Sequence, residues 1–463
     1  MFINCKSFWF LFQNTLIVAF YKTIHFLYVM LSYNQILKIV VPLIISGFGQ
    51  SIIYVTDILF LGRLGEVSLG ASAIAGLFYA SLMMIGFGIS SGLQVIIAQK
   101  TGEGKEQETH LFLLNGIFLQ LLTAFVFTSL YFVFDFLLLK LFVSDSMIRD
   151  ATNSFLNVRI LGLLPYFLFY AYRSYYLGIG STKIISVATI LMSALNLILN
   201  PILIYGWKDY FNGLGLVGSA WASVISELLS TGLIMLYYSL HRKSMKFISK
   251  IKKEILKDIM KVSLPLIFQH FISVFSWFLF FVFIEKMGSK ELAVSNVIRA
   301  VYILVMAPIL AFSHSTVTII GQIFGSKEYA YLKPTLLKII ILSVAFTFPF
   351  FVLSYFQPFW LMQIFTNDEG LLIQGEPVMK VISFALLYFS ISMPLLSAVT
   401  GMGDTQKALL IESISFVVYT LASAILVFVL KLSLPLVWCN EFVYYTSIGF
   451  LSYYFFQKRI KHL

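Results

Sequence analysis

The stretch that decides the fold is residues 36–62, ILKIVVPLIISGFGQSIIYVTDILFLG, an almost unbroken apolar run. A helix needs about 20 mostly apolar residues to cross the hydrocarbon core of a bilayer. This segment is long enough, and it contains one acidic residue, Asp57, near its end. It therefore predicts a membrane-spanning helix that carries a carboxylate.

Apolar runs of the same kind follow along the rest of the chain. Twelve spans are predicted, at 36–62, 68–98, 111–140, 155–177, 184–207, 214–240, 262–286, 291–322, 335–360, 378–400, 407–430 and 435–457. Their length favours helices over the roughly ten-residue alternating segments of a membrane β-barrel. We therefore expect an all-α membrane protein with twelve transmembrane helices.

The overall composition supports a membrane location. The chain has 463 residues, of which 59% are hydrophobic and 11% charged, and its mean hydropathy is +0.91. Soluble chains carry roughly a quarter charged residues. So few charges exclude a soluble enzyme and a disordered regulator. The two cysteines, Cys5 and Cys439, lie far apart in apolar surroundings, so no disulfide framework or cysteine-rich metal site is predicted.

An internal repeat runs through the chain at a constant offset of 223 residues (265 − 42). The offset places Pro42 on Pro265, and further matches are Gln99 on Gln322, Gly102 on Gly325, Gly178 on Gly401 and Gly180 on Gly403. Each half then holds six spans, and an even number gives both halves the same orientation. We expect two six-helix bundles related by a pseudo-two-fold axis along the membrane normal, an arrangement typical of transporters that work by alternating access.

The distribution of basic residues predicts the orientation. The net charge is +11, and eight Lys or Arg residues stand in the segment 242–261 against Glu254 and Asp258. Lys and Arg favour the cytoplasmic side of a membrane, so both termini and this linker are predicted there. The positive charge is thus explained by topology, and no nucleic-acid partner is expected.

The domain organisation follows from the repeat. The N-terminal lobe covers 30–241, the basic linker 242–261 and the C-terminal lobe 262–463. Residues 1–29 are apolar but contain basic residues and no small-residue cleavage site, which disfavours a signal peptide. An extra helix and an upstream extension from a misplaced start codon are the other interpretations. We favour the extension, with Met30 as the expected functional start.

Several motifs resemble those of the multidrug and toxic compound extrusion (MATE) family. They follow Pro42 in the order TDILFLGRLG (56–65), IAQKTG (97–102), GIGSTK (178–183), GLVGSAWAS (215–223) and GMGDT (401–405). The resemblance covers about 30–460. It implies cation-coupled efflux of amphipathic, often cationic, compounds from a bacterial inner membrane. It also implies that the partners are a small-molecule substrate and the bilayer, and we expect a monomer.

Polar residues inside the spans are the candidate coupling site. A charge at bilayer depth costs roughly 3 kcal/mol or more, so Asp57 is a functional candidate by default. Asn196 and Asn200 lie four apart and share one helix face. The resemblance adds that these residues act with the first-span aspartate and that Ser223 lines the same site. Since oxygen ligands suit a hard cation or a proton relay, H⁺ or Na⁺ is the expected coupling ion. Asp57, Asn196 and Asn200 are the candidate ligands of Na⁺. No other cofactor is expected.

The C-terminal lobe departs from part of the family. Where one branch has a seventh-span glutamate this chain has Ser273, and small or apolar residues surround Ile391 in the tenth span. Coupling is therefore assigned to Asp57. Other ionisable residues within spans are Glu227, His270, Arg299, His314, Glu412 and Glu441. Among them, Arg299, His314 and Glu412 are the candidates for lining a central cavity.

Three other functions remain as alternatives. A flippase for lipid-linked saccharides is the second hypothesis, although such flippases usually have fourteen spans and a cationic cavity. An intramembrane enzyme would need a metal motif or a nucleophile–base set, and the six histidines show no H-E-x-x-H spacing. An ion channel would lack the two-lobe repeat. Neither the substrate nor the coupling ion follows from the sequence.

Overall fold

The computed structural model describes residues 32–207, 210–241 and 251–463, and the predicted extension 1–29 and residues 242–250 of the basic linker lie outside them. In the N-terminal half the helices are α1 (Tyr33–Gly62), α2 (Glu66–Gly102), α3 (Glu106–Phe142), α4 (Ser146–Arg159), α5 (Leu163–Gly178), α6 (Lys183–Tyr205) and α7 (Leu216–His241). A 3₁₀ turn, Ile160–Gly162, joins α4 to α5, so the fourth span begins earlier than predicted. A short hairpin of β1 (Gly206–Trp207) and β2 (Phe211–Asn212) joins α6 to α7.

The C-terminal half repeats this order. Its helices are α8 (Lys253–Glu285), α9 (Ser289–Gly325), α10 (Leu332–Phe356), α11 (Pro358–Met362), α12 (Glu369–Gly401), α13 (Thr405–Ala424), α14 (Leu434–Trp438) and α15 (Asn440–Lys461). A 3₁₀ turn, Tyr329–Tyr331, precedes α10, and a π-helical turn, Ile425–Val429, follows α13.

Twelve membrane-length segments confirm the predicted fold class. Eleven helical segments of the described chain are long and apolar enough to cross a bilayer. The twelfth, α15, is 22 residues long and less apolar because it begins with buried Asn440 and Glu441 and ends with three basic residues. Large apolar side chains such as Phe125 and Val133 stay exposed on the outer surface, as lipid contact requires. The chain is a multi-pass, all-α membrane protein.

The helix ends reproduce the 223-residue repeat. The bounds of α2 and α9 differ by 223 at both ends, as do the C-terminal ends of α1 and α8 and of α5 and α12. Even the backbone of the following turn repeats: Gly104 has φ 72° and its counterpart Lys327 has φ 63°. A lysine seldom adopts this left-handed conformation, so the repeat preserves the turn after the glycine has been replaced.

Each lobe packs around long central helices. In the N-terminal lobe α6 packs on α1 and α7, and α5 packs on α2 and α3; in the C-terminal lobe α12 packs on α9, α10 and α15. The lobes meet where α2 contacts α8 and α9, and where α1 contacts α9. The cleft is therefore bounded by α1 and α2 on one side and by α8 and α9 on the other.

The two lobes are in close contact on the side of the membrane where α1 begins and α15 ends, which we name the termini side. A Cβ placed on Gly88 of α2 would lie 2.7 Å from the Cα of Ile267 of α8, and one placed on Gly92 would lie 2.7 Å from the Cα of Ser263. Gln94 Nε2 donates to the carbonyl oxygen of His314 at 2.9 Å. These contacts lie in the termini-side half of the helices, so the cleft is closed towards that side.

Candidate functional site

The four predicted coupling residues meet in one hydrogen-bonded chain. Asn200 Nδ2 donates to Asp57 Oδ1 at 2.6 Å and to Asn196 Oδ1 at 2.9 Å. Asn196 Nδ2 donates to Ser223 Oγ at 3.2 Å. These hydrogen bonds connect α1, α6 and α7 near the helix ends on the side opposite the termini. We name the four residues the N-lobe polar site.

The local sequence explains this placement. Asp57 lies five residues before the end of α1, and the asparagines lie one helical turn apart on α6, directly before Pro201. Asn196 and Asn200 are buried, at 2% and 0% exposure. Buried polar groups need partners, and here each amide finds one across a helix interface.

The oxygen atoms of the N-lobe polar site suit a hard cation. Asn200 Oδ1 is buried without a hydrogen-bond partner, and a carboxylate, two amide carbonyls and a hydroxyl stand together. Hard cations such as Na⁺ prefer oxygen ligands of this kind. An isolated carboxylate at this depth can also bind a proton. Over the described residues, no group of three His, Cys, Asp or Glu forms a transition-metal site.

A buried ion pair lies in the same lobe. Arg159 Nη2 and Nη1 donate to Glu227 Oε1 and Oε2 at 2.6 and 2.9 Å, a bidentate pair that joins α4 to α7. The guanidinium also stands 3.8 Å above the ring of Tyr79. Glu227, a candidate from the sequence, is therefore neutralised within the lobe, and its contacts are those of a cross-helix ion pair.

A cavity of about 250 Å³ lies between α1, α5 and α6 of the N-terminal lobe and α9 of the C-terminal lobe. Its lining residues are Leu43, Ser46, Gly47, Gln50, Ser51, Arg173, Ile185, Thr189, Ile303, Ala307, Leu310, Ala311 and His314. Apolar walls with a few polar groups are typical of small-molecule sites. The cavity lies between the N-lobe polar site and the closed termini side.

Of the three predicted cavity residues, only His314 lines this cavity. Arg299 lies with its guanidinium 4.7 Å from the Phe281 ring centroid. Glu412 is buried at 2% exposure in the C-terminal lobe, where it accepts a hydrogen bond from Tyr444.

A second group of carboxylates occupies the C-terminal lobe. Tyr444 donates to Glu412 and also lies 3.4 Å from Ser273, the residue that stands where one family branch has glutamate. Glu441 accepts from Tyr419 at 2.8 Å. Glu412 and Glu441 have no ion-pair partner among the described residues, so tyrosine hydroxyls take the place of basic side chains.

Two arginines were missed by the sequence reasoning. Arg159 and Arg173 both stand in the predicted span 155–177. The signal that could have found them is the one that selected Asp57, an ionisable residue inside an apolar run. The structure separates them: Arg159 is paired with Glu227, and Arg173 lines the cavity.

Two like-oriented six-helix lobes around a central cavity define a transporter architecture. The family model MatE matches residues 42–202 and 265–426, one match in each repeat. The chain belongs to the MatE family, which confirms the resemblance seen in its motifs.

Individual relatives are similar over most of their length. Probable multidrug resistance protein NorM of Synechocystis sp. is 26% identical over 441 residues, which cover 92% of this chain and 94% of the relative. The protein of the same name from Thermotoga maritima is 22% identical, with 82% of each chain covered. The solved outward-facing conformation of a multidrug resistance MATE family transporter of the MOP superfamily superimposes with a TM-score of 0.88 at 18% identity, over 94% of this chain and 97% of that one.

Proposed function

We propose that the chain is a cation-coupled antiporter of the bacterial inner membrane that exports amphipathic, drug-like compounds. The observation that carries the proposal is the 2.6 Å hydrogen bond between Asn200 and Asp57, which joins α1 and α6 at the N-lobe polar site. The names of the NorM relatives, probable multidrug resistance proteins, support the substrate class. The resemblance favours cationic substrates.

The coupling follows from shared helices. The helices that hold Asp57 and Asn196 also line the cavity, through Gln50 on α1 and Thr189 on α6. Binding of H⁺ or Na⁺ neutralises Asp57 and changes how α1 packs on α6. The same helix movement changes the cavity wall and releases the substrate. The membrane potential supplies about 2.3 kcal/mol per 100 mV for each net charge that the exchange carries inward.

The expected orientation gives the direction of transport. With both termini in the cytoplasm, as the basic linker predicts, the closed termini side is the cytoplasmic side. The cavity is then sealed from the cytoplasm, and the N-lobe polar site stands in the outer half of the membrane. A cation from outside therefore reaches Asp57 while the substrate leaves.

Efflux from proteoliposomes tests the proposal. Vesicles with an imposed proton or sodium gradient are loaded with ethidium or, in a separate set, with pyrenebutanoate. We expect one gradient to drive efflux in the wild type and Asp57→Asn to abolish the gradient dependence. Asp150→Asn, an exposed aspartate of α4, is the matched control. Full gradient-driven efflux by Asp57→Asn would refute the proposal.

A lipid-linked saccharide flippase is the second candidate, and one observation favours it. The charged and titratable side chains of the cavity lining, Arg173 and His314, are both basic. The twelve spans disfavour it. A fluorescent saccharide lipid carrying a pyrophosphate, scrambled between leaflets by the wild type in the same vesicles, would support the flippase over the antiporter.

A further inference from the structure

Arg173 is a cation inside the membrane for which the described residues provide no counter-ion. It stands five residues before the end of α5 and lines the cavity in the cleft. The other arginine of the same span, Arg159, forms a bidentate pair with Glu227. A charge at membrane depth without a partner is costly, and ionisable residues in membrane proteins that face cavities mark substrate pathways. The difference between the two arginines indicates that the partner of Arg173 is a ligand.

Basic side chains from three helices converge on the ring of Phe87. The guanidinium carbon of Arg173 lies 5.7 Å from the ring centroid, and the rings of His270 and His314 lie 4.7 and 5.8 Å away. His270 Nε2 is 3.3 Å from Ser91 Oγ. We name Arg173, His270 and His314 the basic cluster. Arg173 and His314 line the cavity, where they place one fixed positive charge and one imidazole with an N–H donor. His270 packs on the same phenylalanine ring outside the lining.

The rest of the cavity wall suits the same kind of ligand. Gln50 lines the cavity without a hydrogen-bond partner among the described residues, and its amide can donate to an anion. Leu43, Ile303 and Leu310 add apolar surface to the same lining. Among the described residues, no Asp or Glu stands in the lining, so no carboxylate there can pair with a cationic substrate.

We propose that this cavity binds the anionic headgroup of an amphipathic compound, a carboxylate, sulfonate or phosphate, with Arg173 as the charged anchor. The inference rests on the proposed transport function, and it replaces the cationic substrate that the resemblance favours with an anionic one. The planar guanidinium presents paired N–H donors that match these anions, and His314 and Gln50 complete the set of cavity-lining donors. The apolar surface of the lining then takes the body of the compound.

A matched pair of fluorescent probes tests the charge preference. The full-length protein in phosphatidylcholine nanodiscs is titrated with pyrenebutanoate or with pyrenebutyltrimethylammonium, and energy transfer from tryptophan to pyrene reports binding. We expect the anion to bind at least tenfold more tightly than the cation. Arg173→Gln should weaken anion binding about tenfold or more, since hydrogen bonds between charged groups are the strong ones.

Two further variants control the result. Arg173→Lys keeps the charge and should retain part of the anion affinity, whereas Arg63→Gln removes an exposed charge at the end of α1 and should change nothing. If Arg173→Gln does not fold, His314→Gln takes its place, with a smaller expected loss of anion affinity. Tighter binding of the cation by the wild type, or unchanged anion affinity in the folded Arg173 and His314 variants, would overturn the proposal.

The source of the anion is identified in a second set of nanodiscs. Phosphatidylglycerol displaces pyrenebutanoate if the site takes a lipid headgroup and leaves its binding unchanged if the site takes a free amphipathic anion. Either result is consistent with a cavity that binds an anion. Binding is measured at equilibrium without a gradient, so a failure of coupled efflux and a failure of anion binding remain distinguishable.

Discussion

Gln99 and Gln322 occupy equivalent positions in the two repeats and cross the lobe interface in opposite directions. Gln99 Nε2 of α2 donates to the carbonyl oxygen of Gly401 at 3.0 Å, and Gln322 Nε2 of α9 donates to that of Gly178 at 2.8 Å. The two acceptors are also repeat counterparts, each the last residue of its helix. The pair forms a symmetric latch on the termini side.

The latch stabilises the state in which the two lobes are in contact on the termini side. Its hydrogen bonds exist only while the lobes touch, because each joins a glutamine of one lobe to a helix end of the other. An intramolecular hydrogen bond contributes about 0.5–1.5 kcal/mol to stability, so the two bonds together are enough to shift a conformational equilibrium severalfold.

We predict that Gln99→Ala and Gln322→Ala each open the termini side. A single cysteine at Ala311, which lines the cavity, reports this opening in a chain whose native Cys5 and Cys439 are replaced by serine. A membrane-impermeant maleimide added on the termini side should label it about fivefold faster in either variant, since each loses about 1 kcal/mol.

Gln120→Ala is the matched control for the latch. Gln120 Nε2 also donates to a glycine carbonyl, that of Gly86, at 2.8 Å, but both residues belong to the N-terminal lobe. Its loss should leave the labelling rate unchanged. Equal labelling of all three variants would show that the glutamines do not set the equilibrium.

The sequence alone predicted the latch positions but not the latch. The constant offset paired Gln99 with Gln322 and Gly178 with Gly401, and the helix ends confirm it. Repeat equivalence states which residues correspond, whereas the hydrogen bonds join non-equivalent residues of different lobes. That pairing depends on how far the lobes are closed, which no periodicity of the chain encodes.

The same limit applies to the candidate site. Spacing placed Asn196 and Asn200 on one face, and the motifs brought in Asp57 and Ser223; the structure joins all four by hydrogen bonds. Charge inside a span is visible in the sequence, but its pairing is not. Arg159 and Arg173 stand in one predicted span, and only the packing of α4 on α7 gives Arg159 a carboxylate and leaves Arg173 in the cavity.

We predict that Gly92→Ala separates α2 from α8. A Cβ at this position would lie 2.7 Å from Ser263 Cα and 2.8 Å from its backbone nitrogen, so the helix backbone must move. Such overpacking costs about 1–3 kcal/mol. The distance between spin labels on the two helices should increase and the thermal midpoint should fall. Gly76→Ala, where a Cβ meets nothing within 4 Å, should do neither.

We predict that Glu227→Gln destabilises the folded protein more than replacing both partners of the ion pair. The single variant leaves the charge of Arg159 buried without its carboxylate, which costs about 3–5 kcal/mol. The double variant Arg159→Leu, Glu227→Leu removes both charges and should recover much of that loss. Thermal unfolding in detergent measures the three proteins. A double variant less stable than Glu227→Gln would contradict this account of the pair.

We predict that Asn200→Ala slows coupled efflux, because the Asn200 amide holds the candidate coupling carboxylate. Asn200→Ala removes the 2.6 Å hydrogen bond to Asp57 and the bond to Asn196, and with them the link between α1 and α6. Hydrogen bonds to charged groups are worth about 1.5–3 kcal/mol, so coupled efflux should slow about tenfold or more under whichever gradient drives the wild type.

The matched control for Asn200→Ala is Asn153→Ala. The Asn153 carbonyl oxygen accepts from Tyr131 at 3.0 Å in the same lobe, away from Asp57. Initial efflux rates, normalised to the amount of folded protein in the vesicles, compare the two. If Asn153→Ala slowed efflux as much as Asn200→Ala, the effect would come from general loosening of the lobe. A selective loss at Asn200 would instead assign the coupling to the contact between α1 and α6.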